Sequence, residues 1–243
     1  MKNPFQAFGY SALERMATAP KFNLWMYQTI SPYLTEKTLE IGSGIGNLSE
    51  YFINDRRDIT LSDFDDTYIG ILKQRFPDAA NKIIKLDLAD INFKQNFRDL
   101  SESFDSIFLL NVLEHVEDDY RAIENCKLLL KPGGRLLVLV PCYPFLYSEI
   151  DRSLGHHRRY TSHSLNKVLE DNKLNVLETF HFNMLGIAGW YWNKIFKQGH
   201  ISKTKMNLYN SMVPLARTID KCTFRKIGLS VISIVKKECL KCF

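Results

Sequence analysis

The 243-residue chain lacks any apolar run near the ~18 residues that cross a bilayer. Residues 1 to 16 lack the charged-then-apolar order of a secretory signal. Both absences predict a cytosolic protein. The five cysteines are odd in number and irregularly spaced, which fits a reducing compartment and excludes a disulfide framework. Cys239 and Cys242 form a C-x-x-C, but no second pair or histidine pair accompanies them with ligand spacing, so no metal site is expected. Charge of one sign is also lacking. With 32 Lys and Arg against 27 Asp and Glu, the net charge of +5 suits an anionic small molecule or a lipid headgroup as easily as nucleic acid and so decides little; from the motifs, no nucleic-acid partner is expected. Internal repeats and low-complexity segments do not occur.

A composition of 45% hydrophobic and 24% charged residues is that of a globular protein, long enough to bury a sheet on both faces. Residues 1–36, with Phe5, Phe8, Tyr10, Phe22, Trp25, Tyr27 and Tyr33, read as one or two covering helices. Strand-like runs follow at Thr38–Ile41, Asp58–Ser62, Lys82–Leu86, Phe104–Leu110, Arg135–Val140, Leu174–Phe182 and Leu229–Val235. One-sided helical stretches alternate with them, carrying Leu48, Tyr51 and Phe52, then Ile69, Leu72 and Phe76, then Ala122, Ile123, Cys126, Leu129 and Leu130. This rhythm predicts an α/β fold with a doubly wound parallel sheet. Lys131-Pro132-Gly133-Gly134 is expected to end the longest helix, and Thr161 to cap one carrying Leu165, Val168 and Leu169. The rhythm spans a core of 37–182; residues 183–226 break it as an insertion or lid before a last strand and tail at 227–243, all within one domain.

The chain is organised around Thr38 to Gly46, Thr-Leu-Glu-Ile-Gly-Ser-Gly-Ile-Gly, a buried strand running into a glycine turn. Gly42, Gly44 and Gly46 let the backbone turn tightly, and the helix beyond offers free N–H groups to a polar ligand. Asn47 stands where a dinucleotide fingerprint needs its third glycine, which argues against a nicotinamide dehydrogenase. Glu40, two residues before the turn, places a carboxylate where it can meet a cationic ligand. Together these residues resemble motif I of the class I S-adenosylmethionine-dependent methyltransferases. The resemblance implies a Rossmann-like sheet of seven strands with the last antiparallel, and S-adenosylmethionine as cofactor with S-adenosylhomocysteine as product.

In doubly wound sheets the ligand lies across the carboxyl ends of the strands. Asp63, 21 residues after Gly42, suits a carboxylate accepting both ribose hydroxyls, with Phe64 packed on the adenine. Asp87 is placed to accept from the adenine amine, with Leu88 beside the ring. By resemblance, Asn111 and Val112 contact the methionine end of the cofactor and His115 lies nearby. Concordance of four strand ends, with Phe104-Asp105-Ser106-Ile107 before and Lys-Pro-Gly-Gly after, is more specific than any one motif.

The acceptor is read from Asp151 to Tyr160, after the fifth strand. Arg158 and Arg159 suit an acidic acceptor group, while His156 or His157, with Tyr160, forms the catalytic set, a histidine taking the acceptor's proton. The alternative is a solvated loop salt-bridged by Glu149 and Asp151. His-His-Arg-Arg-Tyr, Gly-Trp-Tyr-Trp and Gly228-Leu229-Ser230 further resemble bacterial methyltransferases of sugar and cell-envelope biosynthesis. That resemblance implies methyl transfer to oxygen or nitrogen of a small or lipid-linked acceptor, acidic or sugar-like. Residues 183–205, aromatic and basic, read first as lid or core packing and second as a peripheral membrane contact. A base methyltransferase is disfavoured, since Asn111-Val112-Leu113-Glu114 replaces its Pro-Pro-aromatic run, and Cys142 reads as packing rather than as a nucleophile. The competing class is a silent cofactor-binding scaffold.

Overall fold

The computed structural model describes residues 4–196 and 202–239. Helices α1 (Pro4–Ala17) and α2 (Pro20–Ile30) lead into β1 (Thr38–Ile41). There follow α3 (Ser49–Asn54), β2 (Ile59–Asp63), α4 (Asp66–Arg75), β3 (Ile83–Lys85), the single turn α5 (Phe93–Asn96), β4 (Phe104–Leu110), α6 (Asp119–Leu129) and β5 (Leu130–Pro141). Then come α7 (Glu149–Leu154), α8 (Ser162–Asp171), β6 (Leu174–Phe182), α9 (Met184–Ile195), α10 (Lys203–Cys222) and β7 (Ser230–Lys237). Each expected strand is present: β1, β4 and β6 with the expected ends, β2, β3 and β7 with ends shifted by a residue or two, and β5 starting at Leu130 rather than Arg135.

The strand order is β3-β2-β1-β4-β5-β7-β6. β1 to β5 pair in parallel, and β7 runs antiparallel to both β5 and β6, the Rossmann-like arrangement that the resemblance implied. Successive residues of a strand face opposite sides of the sheet, so both faces of a central strand must be apolar if both are covered. β5 meets this condition. Leu137 packs with Phe22, Trp25, Phe52, Phe108 and Phe182, while Leu136 and Val138 pack with Ile107, Ile123, Tyr160 and Leu165. The first group is closed by α2, α3, α4 and α10, the second by α6 and α8. Phe22 and Trp25 are thus core, as expected, with the Trp25 ring 4.3 Å from Phe182.

Lys131–Gly134 departs from expectation. α6 stops at Leu129 because a residue before proline disfavours the helical conformation, but the chain does not turn before the strand begins. Pairing with β4 already starts at Leu130 and resumes at Arg135, so the four residues bulge out within β5. Gly133 takes φ +80° there. The 183–226 insertion folds as α9 and α10, with α10 packed on α2. Residues 197–201 of its basic stretch, and Cys242 of the C-x-x-C, lie outside the described residues. No described helix is long and apolar enough to cross a membrane.

Candidate functional site

Strand order places the ends of β3, β2, β1 and β4 side by side, which brings Asp87, Asp63, the glycine turn and Asn111 along one edge of the sheet. Gly42, Gly44 and Gly46 have φ of +76°, +55° and +82°. Their missing Cβ atoms make room chiefly for protein. A Cβ at Gly42 would meet Val112 Cγ2 at 2.4 Å, and one at Gly44 would meet Leu13 Cδ1 at 2.8 Å. α1 therefore lies across the turn, tied there by Asn47 Nδ2 donating to the Leu13 carbonyl at 2.8 Å.

Asp63 accepts from Gly44 N at 2.9 Å and from Asp65 N at 3.1 Å. These bonds join the end of β2 to the turn and leave each carboxylate oxygen with further lone pairs for a ribose. Phe64, 58% exposed, stands beside it with a free ring face. Asp87 is exposed and accepts from Ala89 N, while Leu88 is buried. Asn111 takes the left-handed φ of +54° at the end of β4, a position that turns the chain out of the sheet toward Val112. Glu40 is buried, and its Oε2 accepts from Ser49 Oγ at 2.5 Å. Burial pushes its pKa up to about 7 although the Ser49 and Ser43 hydroxyls pull the other way. Acids along the ribose and adenine edge, with an apolar residue beside each, fit an adenosine-bearing cofactor.

Past β5 the chain forms a loop closed at its base by Tyr143 N donating to the Tyr160 carbonyl and Tyr160 N to the Pro141 carbonyl, each at 2.9 Å. Asp151 lies inside it with no exposed surface. It accepts from Ser148 N and Oγ at 2.8 and 2.9 Å, from Arg159 Nε at 2.8 Å, and meets His156 Nδ1 at 3.0 Å. His156, 8% exposed, thereby turns Nε2 toward Glu114, 4.0 Å from Oε1. Glu114 is fully buried, neither of its oxygens has a hydrogen-bond partner among the described residues, and burial pushes its pKa up to about 8. The His115 ring stands edge-on to that of His156, centroids 4.6 Å apart.

Of the expected catalytic residues, His156 faces this cluster. His157 is exposed and donates its N–H to the Glu114 carbonyl at 2.8 Å, and Tyr160 is buried with its hydroxyl on Asp119 at 2.8 Å. The two arginines are tied to internal partners: Arg158 pairs with Asp119, and Arg159 with Asp151 and the Cys142 carbonyl, leaving only its Nη2 unpartnered. The Arg159 guanidinium lies over the Trp190 ring, 4.5 Å from its centroid. Sequence reasoning assigned no role to Glu114 or Trp190, and gave Asp151 only as a salt-bridging partner within the loop, the part it plays toward Arg159. For Glu114 a signal was present, a carboxylate set among Val112, Leu113 and Val116. Cys142 is buried, its thiol pushed up to about 11 by desolvation, as packing requires.

Residues 39–136 match the family model described as a methyltransferase domain. That stretch carries a methyltransferase domain. Among curated relatives, a ubiquinone biosynthesis O-methyltransferase from Dechloromonas aromatica is 28% identical over 114 residues, 47% of this chain and 47% of its own. The chain spans about half the length of the curated relatives it matches. In structure, the methyltransferase domain is similar to an S-adenosylmethionine-dependent methyltransferase from Thermotoga maritima, with TM-score 0.62 and 17% identity over 98% of this chain and 100% of that one. It also resembles phosphoethanolamine N-methyltransferase 2 from Haemonchus contortus in complex with S-adenosyl-L-methionine, with TM-score 0.58, 14% identity, and 89% and 52% of the two chains covered.

If Asp63 accepts the ribose hydroxyls as its place at the end of β2 predicts, Asp63→Ala is expected to weaken binding of S-adenosylmethionine by about 1.5–3 kcal/mol, roughly 10- to 100-fold, in a calorimetric titration. Unchanged affinity would remove Asp63 from the site. Glu40 supplies a pH prediction. Its carboxyl holds its proton more tightly folded than unfolded, so its contribution to stability is complete below the ordinary value of 4.5 and is lost as pH rises through about 7. Melting temperatures measured between pH 5 and 8 should fall more steeply for the parent than for Glu40→Gln, and parallel curves would show that Glu40 does not titrate there.

Proposed function

We propose that the chain transfers the methyl group of S-adenosylmethionine to an oxygen of a small or lipid-linked acceptor, acidic or sugar-like, seated beside Glu114, His115 and His156. The observation that carries this reading is the Asp151–His156 pair, which leaves Nε2 directed at an unpartnered buried carboxylate. Oxygen is preferred to nitrogen because the curated relatives are named as O-methyltransferases.

Bound cofactor supplies a methyl group already activated by its sulfonium. Gly42, Gly44, Gly46, Asp63, Phe64, Asp87, Leu88, Asn111 and Val112 hold and orient it. Asp151 keeps His156 in the tautomer that carries the proton on Nδ1, so Nε2 is free to take the acceptor's proton as the oxygen attacks. Arg159 neutralises Asp151 and keeps one buried donor, Nη2, for an acceptor oxygen. Tyr160 and Arg158, both bound to Asp119, fix the base of the loop.

A lipid-linked acceptor is supported by α9. Tyr191, Trp192, Ile195 and Phe196 are each more than half exposed, as is Phe145 nearby, whose carbonyl accepts from Lys194 Nζ. From Thr179 to Ile219 no acidic residue occurs, while Lys194, Lys197, Lys203, Lys205 and Arg217 do. An aromatic face with basic flanks suits the headgroup region of an anionic membrane. The next residue along α9 from Tyr191 is Trp190, which covers Arg159, so a bilayer-bound acceptor would be delivered next to the loop.

His156→Ala is expected to lower turnover on a hydroxyl acceptor about 100- to 10,000-fold with cofactor affinity unchanged. Wild-type turnover in that variant would remove the assignment, and cofactor binding without transfer to any of a panel of acceptors would favour the scaffold. The full chain should co-sediment with vesicles containing anionic lipid at low salt, and a Trp192→Glu, Phe196→Glu variant should not. A wild-type chain left in the supernatant overturns the membrane contact.

A further inference from the structure

Glu114, His115 and His156 present one ligand atom each within 4.8 Å of one another. We infer that these three side chains form a binding site for a divalent first-row cation such as Zn²⁺ or Mn²⁺, with the remaining coordination open toward the acceptor. Two independent features point to a ligand there. The Glu114 carboxylate has no exposed surface and no hydrogen-bond partner on either oxygen among the described residues. Burying such a group is costly unless something positive or hydrogen-bonding meets it, and among the described residues no Lys or Arg nitrogen lies within ion-pair distance of it. The second feature is the pairing of Asp151 Oδ1 with His156 Nδ1 at 3.0 Å. A carboxylate behind an imidazole fixes the tautomer and raises the basicity of the opposite nitrogen, which is how metal-binding histidines are supported.

Two imidazoles and one carboxylate match first-row transition cations better than Mg²⁺ or Ca²⁺, which take oxygen donors. Bonds of ~2.0–2.2 Å require the ligand atoms to close in by about an ångström, within reach of small side-chain rotations. Glu114 and His115 follow the end of β4, and His156 sits in the Asp151-centred loop, so the site lies where two segments meet.

The inference rests on the reading of the acceptor site above and alters one part of it. With a cation bound, His156 is a ligand. The acceptor hydroxyl then ionises on the cation, its O–H bond breaking with the electron pair left on oxygen and the proton passing to water.

The test uses the full chain carrying Cys239→Ser and Cys242→Ser, so that tail thiols do not bind metal, stripped by chelator and titrated calorimetrically with Zn²⁺ and Mn²⁺. One equivalent of one of these cations should bind. Glu114→Gln and the exposed-site variant His115→Ala should abolish that binding, and Asp151→Asn should weaken it about 10- to 100-fold, with folding checked by circular dichroism. Absence of binding for both cations, or equal binding by Glu114→Gln and His115→Ala, overturns the site. The two readings separate cleanly. Methyl transfer by the stripped, cation-free chain would overturn the cation and leave the acceptor site standing, whereas one-equivalent binding lost in the variants, with no transfer to any acceptor, would leave the cation and remove the acceptor site.

Discussion

The loop beyond β5 hangs on the carboxylate of Asp151. A buried charge is tolerated only when its lone pairs are met, and here four donors from Ser148, His156 and Arg159 meet them. Burial by itself would raise the Asp151 pKa; the hydrogen bond from His156 and the charge of Arg159 outweigh it and leave the group below its ordinary value. Those contacts draw a loop without regular strands into a single conformation. They also decide which nitrogen of His156 looks outward, so the chemistry of the site follows from the way one charge is satisfied.

The second constraint is the sheet. Because β5 is apolar on both faces, helices must cover both, and the parallel strands β1 to β4 then deliver their carboxyl ends to one edge. The glycine turn contributes by letting neighbours close in, Val112 on Gly42 and Leu13 on Gly44. α1 thus rests where the cofactor's edge begins, and Asp63 is buried beneath it. The strand-end half of the proposed site is built from backbone and turn geometry, the half beyond β5 from one buried ion cluster.

These halves join through α9. Its outward aromatics face solvent, while Trp190 lies under the guanidinium of Arg159, the same residue that neutralises Asp151. A contact made on the outer face of the insertion is therefore three side chains away from His156, through Trp190, Arg159 and Asp151. Such proximity gives the insertion a physical connection to the Asp151 loop that its composition alone did not provide.

The alternation of strands and helices, the cap at Thr161, the glycine turn and the carboxylates at the strand ends were legible in the sequence, because periodicity and turn chemistry act over a few residues. The Lys131–Gly134 bulge was not, since pairing on either side of it depends on β4. Nor was the partner of Arg158: the sequence offered Asp151 for this loop, which pairs with Arg159, but only folding shows that Asp119, on a distant helix, neutralises Arg158. By itself the sequence determined the fold class and the cofactor edge, whose signals are local. Tertiary structure alone decided that Glu114 and His156 would meet, because the end of β4 and the loop beyond β5 become neighbours only when the sheet has formed.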